Sequence, residues 1–409
     1  MHESSKTLEN RSNFVLQKRF FPFFLTQCSG AFNDNLYKNL MVLLVTFNAQ
    51  RYTTLDPALV ANLAAGLFIL PYVLFSAPAG QLADAMNKAR IMRGVKIAEI
   101  GIMGLASAGF FLHSLPLLLG ALFLMGVHST VFGPVKYAVL PQVLSERELL
   151  GGNAWVEMGT FVSILLGTLA AGYMSTHGDQ PELLSLSIVM TAVLGFVFSS
   201  AIPDTGEPKA RPALSFHPGA TRRLIRQTKN QTRVWHSVVA ISWFWLMGSV
   251  LLAQLPAIVK DILQLGSNEV TGLLAAFSVS VGVGSLLCEK LLRGEVKLAI
   301  VPWAGAGISA FSIHLGLSNA QWAMLDLSLI GIFSGLFIVP LYTLIQKESP
   351  RDTTSSAIAA NNIMNAFYMV GGAVATIGLL SVGLDALQVV AVSGVLNIVF
   401  LVWWVRRLG

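Results

Sequence analysis

The stretch FFPFFLTQCSGAFNDNLYKNLMVLLVTF, residues Phe20 to Phe47, is apolar at both ends and polar in its middle. Its length and its flanks suit a membrane-spanning helix. Its centre carries Asn33, Asp34, Asn35, Lys38 and Asn39. A carboxylate or an ammonium at the middle of a bilayer costs roughly 2.5–3.5 kcal/mol on insertion scales, so such groups face one another or a wet cavity. Asp34 and Lys38 are four apart and share one helical face, which predicts that they pair. Two readings fit: an internal ion pair that fixes helix packing, or the polar lining of a substrate path. Gluing a bundle together needs fewer polar groups than this, which favours the path.

The rest of the chain has the same character. Of 409 residues, 54% are hydrophobic and 12% charged, against about 25% charged in a soluble protein. At about 20 residues per span, there is room for about twelve helices and little else. That argues against a fused enzyme domain. The expected fold class is an all-α membrane protein. The spans are predicted near 20–47, 59–82, 91–112, 116–141, 151–175, 183–202, 235–259, 269–291, 298–316, 321–345, 354–380 and 384–405. A segment 1–19 precedes a first six-helix half, 20–202. A linker, 203–233, carries four prolines, seven basic and two acidic residues. It reads as irregular at first and as a basic surface helix over 219–233. A second six-helix half follows, 234–409.

Lys and Arg mark one side of the membrane. They gather at Lys6, Arg11, Lys18 and Arg19, at Lys88, Arg90, Arg93 and Lys96, in the linker, at Lys290, Arg293 and Lys297, at Lys347 and Arg351, and at Arg406 and Arg407. Arg51 and Lys260 are the exceptions. By the positive-inside tendency, both termini and the linker face the cytoplasm. The net charge of +6 therefore reports topology and anionic headgroups. Nucleic acid is not expected, because no aromatic stacking platforms interleave the basic residues. Glu3 and Glu9 interrupt a signal-peptide-like start, so no cleavable leader is expected. Cys28 and Cys288 fall in separate spans and make no disulfide framework.

Three pairs of segments repeat in order across the halves: Gly80 in GQLADA with Gly284 in GSLLCEK, Pro134 in GPVKYAVLPQ with Pro340 in VPLYTLIQ, and Asn153 in GGNAWVEMGTF with Asn361 in AANNIMNAFYM. The offsets are nearly constant at 204, 206 and 208 residues. Parallel six-helix repeats binding substrate between them are one plan for a transporter. No phosphate loop, zinc-protease motif or nucleophile elbow is present. No Cys or His cluster suggests a metal. No cofactor is expected.

With these residues in hand, the chain resembles the major facilitator superfamily. GQLADAMNKAR, read as a short basic loop between spans two and three, matches that family's inner-loop pattern at Gly80, Leu82, Asp84, Lys88 and Arg90. The resemblance implies a conformational latch there. Asn87 stands where the family usually has glycine, and in the second half the aspartate position falls near Cys288 and Glu289. GAFNDNLYKNL and FGPVKYAVLPQVLSERELLGGNAWVEMGTF are similar to the lysophospholipid transporter family, whose module is fused in some relatives to acyltransferase and acyl-carrier-protein synthetase domains. That resemblance implies movement of lysophospholipids, chiefly lysophosphatidylethanolamine, from the outer to the inner leaflet of a bacterial inner membrane. Any acyltransferase would be a separate protein, and the transporter is expected to be a monomer.

A lysolipid needs a charge pair for its head and an apolar flank for its tail. Asp34 is expected to meet the ammonium and Lys136 the phosphate, with Asn35 and Lys38 alongside. Gly133 and Pro134 are expected to open the helix before Lys136. Glu157 either pairs with Lys136 or contacts the head. Some relatives place a basic residue within span seven; this chain has Gln254 instead. Glu99 and Asp326 also lie within spans, Glu99 being expected near the inner surface. His128 and His314 read as core histidines. Trp243, Phe244 and Trp245 either line a tail path or pack. Two rival functions remain: a proton-coupled exporter of a soluble compound, with Asp34 or Glu157 as the proton carrier, and a transport-dead anchor for an acyltransferase.

Overall fold

The computed structural model describes residues 14–176, 180–206, 215 and 218–408. Lys6, Arg11, Glu3 and Glu9, the tip of the turn at 177–179, and linker residues 207–214 and 216–217 lie outside the described residues.

Every long element is a helix, because the chain must satisfy its backbone hydrogen bonds within each span once water is excluded. In order these are α1 (Phe21–Phe47), α2 (Pro57–Ala85), α3 (Lys88–Phe111), α4 (Leu115–Ala138), α5 (Leu149–Thr176), α6 (Pro181–Ser200), α7 (Thr232–Ala257), α8 (Ser267–Leu292), α9 (Ile300–Leu317), α10 (Ala323–Glu348), α11 (Thr354–Ser381) and α12 (Ala386–Leu408). Among the described residues, 11 are long and apolar enough to cross a membrane. The exception is α1. At 27 residues it is long enough, but its polar centre lowers its hydropathy.

A further helix, Pro218–Lys229, precedes α7. It buries Ala220, Leu224 and Thr228 and exposes Arg222, Arg223, Arg226 and Lys229, the pattern of a helix lying along a surface. A π-helical turn, Ile258–Ile262, extends α7 past Pro256.

Three expectations are corrected. GQLADAMNKAR is not a loop: Gly80 to Ala85 are the last residues of α2 and Lys88 begins α3. Lys96 is therefore two turns inside α3 and fully buried, so it reports nothing about membrane sidedness. The residues before Lys136 do not open α4 either. The helix runs through Pro134 to Ala138, and Lys136 sits in its last turn, where a cation meets the negative end of the helix dipole.

The chain divides into two compact units. The first holds Met1–Ser145, Ser163–Leu224 and Pro350–Asn362, and the second holds Glu146–Val162, Ile225–Ser349 and Ile363–Gly409. The start of α5 thus packs in the second unit, and the start of α11 in the first.

In the first unit, Leu36, Tyr37, Leu40 and Leu44 of α1 pack with Met103 and Phe110 of α3, Leu118, Leu122 and Met125 of α4, and Leu184 and Ile188 of α6. Tyr37 sits in this core with its hydroxyl donating to the Leu118 carbonyl at 2.6 Å. In the second unit, α8 and α10 cross so closely that a Cβ on Gly284 would overlap the Ile332 carbonyl and one on Gly335 would overlap the Ser285 amide. Small residues at a crossing let backbones meet where lipid supplies no hydrophobic drive. Gly335→Leu is expected to cost at least about 3 kcal/mol through overpacking. The check is loss of the monodisperse peak on size-exclusion chromatography.

Candidate functional site

The polar centre of α1 meets α3 and α4 inside the first unit. Asp34 accepts a hydrogen bond from Ser129 Oγ on α4 at 2.7 Å. Its other oxygen, Oδ1, is buried and has no hydrogen-bond partner. The expected ion pair with Lys38 does not form. Lys38 Nζ donates to Asn35 Oδ1 at 3.2 Å and lies 5.7 Å from the centre of the Phe68 ring on α2. Asn35 also donates to the Ala31 carbonyl of its own helix, at 2.8 Å. Asn39 reaches Thr168 on α5, at 2.9 Å. Asp34 turns instead to α4, which supplies a hydroxyl.

Beside Asp34 is a cluster that sequence reasoning missed. Lys96 and Glu99 on α3 form an ion pair at 2.6 Å with both side chains 0% exposed. Asn33 Nδ2 donates to the other Glu99 oxygen at 2.8 Å. His128 Nε2 on α4 lies 3.1 Å from Glu99 Oε2, and its side chain is 2% exposed. The His128 ring stacks on Phe132, and the Lys96 ammonium sits 5.6 Å from the centre of that same ring. Asp34 is near enough to feel the charges of His128, Glu99 and Lys96.

Glycines make the slot for Lys96. A Cβ on Gly30 of α1 would stand 2.8 Å from its Nζ, and one on Gly195 of α6 would stand 3.2 Å away. Glu99 is thus deep in the protein rather than near its inner surface, and His128 is one of its charge partners. The spacing of Lys96 and Glu99, three apart in an apolar helix, was a legible signal for their pairing. Nothing in the sequence joined them to Asn33 and His128.

Lys136 is seven residues beyond Ser129 on α4 and so on the same face, about 10 Å along the helix axis. Its Nζ lies 4.8 Å from the centre of the Tyr137 ring, and its charge reaches Cys28 on α1. Asp34 and Lys136 thus belong to one seam between α1 and α4. Glu157 is 1% exposed, on the part of α5 that belongs to the second unit.

At the turn from α2 to α3, Asp84 accepts from the backbone amides of Ser355 and Ser356 in the first turn of α11, both at 3.0 Å. Those amides have no partner within their own helix, and the helix dipole favours an anion there. A Cβ on Gly80 would stand 2.6 Å from Ala359 Cβ, so the glycine lets α11 come close. Lys88 folds back, donating to the Ala83 carbonyl at 3.3 Å. Asn87 caps α3: its Oδ1 accepts from the Arg90 amide at 3.2 Å, and its Nδ2 donates to Asp204 and to the Gly206 carbonyl. The Gly206 amide and Asn87 hold the Asp204 carboxyl below its usual range.

In the second unit, Asn153 of α5 donates to Gln346 Oε1 at 2.6 Å and to Thr343 Oγ1 at 3.1 Å on α10. Glu289 of α8 sets its carboxylate against the first turn of α5, 2.6 Å from where a Cβ on Gly151 would stand.

Of the span-seven aromatics, Trp243 packs. Its Nε1 donates to Asn397 on α12 at 2.8 Å and its ring stacks on Phe400. Trp245 stacks on Phe161. Phe244 lines a small pocket with Met247, Leu251, Phe277, Ile330 and Ser334, of about 20 Å³. That is room for about one water, so the pocket does not hold an acyl chain in this conformation. His314 pairs with Asp326 at 2.8 Å, tying α9 to α10.

Eleven helices among the described residues that are long and apolar enough to cross a membrane, with charged groups buried between α1, α3 and α4 in the first unit, are the features of a multi-pass membrane transporter. The family model of the Major Facilitator Superfamily matches residues 23–376, and the chain belongs to that superfamily. Among curated proteins, the chain is 29% identical over 355 residues to the Lysophospholipid transporter LplT of Escherichia coli O157:H7 (strain EC4115 / EHEC), covering 83% of each. It is 25% identical over 363 residues to that of Serratia proteamaculans, covering 85% of each. Among solved structures it is similar to the human organic anion transporter MFSD10, with a TM-score of 0.75 at 12% identity over 94% of this chain and 99% of that one. It is also similar to a bacterial homologue of the iron transporter ferroportin, with a TM-score of 0.72 at 14% identity over 96% and 100%. These likenesses bear on the fold alone.

Proposed function

We propose that this chain carries lysophospholipids, such as lysophosphatidylethanolamine, across a bacterial inner membrane from the outer to the inner leaflet, with both termini cytoplasmic. The relatives named above support the substrate class. The single observation that carries the geometry is the seam between α1 and α4. It holds an acid with a buried, unpartnered oxygen, Asp34 Oδ1, and a lysine about 10 Å along the same face. A zwitterionic head spans such a pair, its ammonium toward Asp34 and its phosphate toward Lys136. Asn35, Lys38 and Glu157 are the further contacts in this reading. The acyl tail stays in lipid. Inside the cell, a separate acyltransferase would consume the product and draw flux inward.

The test is uptake of labelled lysophosphatidylethanolamine into proteoliposomes. Flux above protein-free liposomes is expected. Its absence with correctly inserted protein removes this reading in favour of an anchor, and an uncoupler-sensitive flux of soluble compounds that lysolipids do not compete for favours an exporter.

Movement proceeds by alternating access in this reading. Gly80, Asp84, Lys88 and Arg90 form the inner latch, and Asn153 with Gln346 adds a second tie. Opening inward breaks the two bonds from Asp84 to the first turn of α11. Hydrogen bonds to a charged group are worth about 1.5–3 kcal/mol each, so Asp84→Ala is expected to shift the equilibrium toward the opened state by at least about tenfold. The readout is thiol labelling of Ala359→Cys, which sits against Gly80. Labelling should be faster in the Asp84→Ala background, and an unchanged rate removes the latch role.

A further inference from the structure

Gly133 and Lys136 continue the face of α4 that begins at Ser129, four and seven residues further on. Ser129 donates to Asp34. Asn362, in the third turn of α11, meets that face at its middle. Its amide nitrogen stands 2.7 Å from where a Cβ on Gly133 would be, against 3.7 Å for Cγ and 4.0 Å for Oδ1. The nitrogen therefore leads, and the missing side chain of Gly133 leaves it room. Asp84 holds the first turn of α11 in this position through the amides of Ser355 and Ser356. Gly133, Asn362 and Asp84 all belong to the first unit.

Asn362 is 8% exposed, and its Nδ2 is buried without a hydrogen-bond partner among the described residues. Native interiors leave few such groups unpaired. A packing role has an obvious acceptor nearby: Pro134 has no N–H, so the Thr130 carbonyl lacks its intrahelical donor. Nδ2 makes no bond to it. An amide nitrogen can only donate, so the atom it lacks is an acceptor. Lys136, one turn beyond Gly133 on the same face, favours an anionic one.

We propose that Asn362 is a specificity-determining residue for the phosphate of the head group, its Nδ2 donating to a phosphate oxygen that Lys136 holds by charge. This rests on the transport reading above. An ammonium is a rotatable point charge, whereas the direction of the Asn362 amide is set by its helix. Lys136 thus supplies attraction and Asn362 supplies orientation. In this conformation the amide fills the space over Gly133, and binding exchanges that packing contact for the phosphate. The contact is common to ethanolamine and glycerol heads, because both carry the phosphate.

The test measures equilibrium binding of lysophosphatidylethanolamine and lysophosphatidylglycerol to the full chain in detergent. Each protein also carries Ala359→Cys, whose thiol-labelling rate without lipid reports whether α11 has moved. By the usual strength of a hydrogen bond to a charged group, Asn362→Ala should weaken both lipids by at least about tenfold and by similar factors. Asn362→Asp keeps the shape and sets an anion against the phosphate, so it should weaken both lipids further. Labelling should stay at the wild-type rate in each variant. A residue that only packed α11 on α4 would speed labelling along with any loss of affinity. Unchanged affinity in Asn362→Ala, a loss confined to one lipid, or a loss matched by faster labelling overturns the assignment and leaves the transport reading standing. If the alanine variant does not purify, the near-isosteric aspartate variant decides by the same comparison. Failure of wild type to bind either lipid sinks the transport reading, and this assignment with it.

Discussion

Asp34→Ala is expected to abolish uptake of lysophosphatidylethanolamine into spheroplasts while the protein inserts and purifies as before. The carboxylate sits at the crossing of α1 with α4, held by Ser129 at 2.7 Å, with its second oxygen buried and unpartnered. Truncating one partner of a buried charge contact costs about 2–5 kcal/mol, which is roughly 30-fold to more than 1,000-fold in affinity. Lys136→Ala removes the other end of the seam and is expected to have a loss of the same order. It differs in kind, because a head lacking an ammonium should still feel the loss of Lys136 and not that of Asp34. Initial uptake rates for ethanolamine and glycerol lysolipids separate the two. Normal uptake by both variants would refute the head-group assignment.

Lys96→Ala should be the most damaging single change to the fold among the charged residues of the first unit. Its ammonium is lodged between Gly30 and Gly195 and neutralises Glu99 at 2.6 Å with no solvent contact. Removing one member of a buried pair costs about 3–5 kcal/mol, because the other is left uncompensated, whereas replacing both members by apolar groups of like volume is often neutral. Thermal unfolding in detergent should therefore show a large drop in the apparent midpoint for Lys96→Ala and recovery of most of it in Lys96→Met/Glu99→Leu. A single variant that melts like wild type would show that the pair contributes little to holding α3 in place.

The buried cluster of Asn33, Lys96, Glu99 and His128 explains where reading the sequence stopped short. Glu99 and Lys96 are legible as a helical pair. Yet Lys96 follows Arg90 and Arg93 so closely that it reads as the tail of a surface cluster. Only the position at which α3 begins, at Lys88 directly after the end of α2, carries it inside. Likewise Asp34 and Lys38 lie four apart and invite pairing, but each finds a nearer partner on another residue. Spacing along one helix says which groups share a face. It does not say which neighbouring helix that face meets.

By itself the sequence determined the helical, membrane-spanning class and placed most helix ends to within a few residues, and it put Asp34 and Lys136 inside helices. Apolar length, proline and glycine punctuation and the cost of charge in hydrocarbon are all local properties of a segment. The tertiary structure alone decided that Asn33, Lys96, Glu99 and His128 meet beside Asp34, that Asp84 caps α11, and that Glu289 lies against α5. Those contacts join residues tens to hundreds of positions apart. They depend on how closely glycine-lined helices approach, and no periodicity within a single helix encodes that.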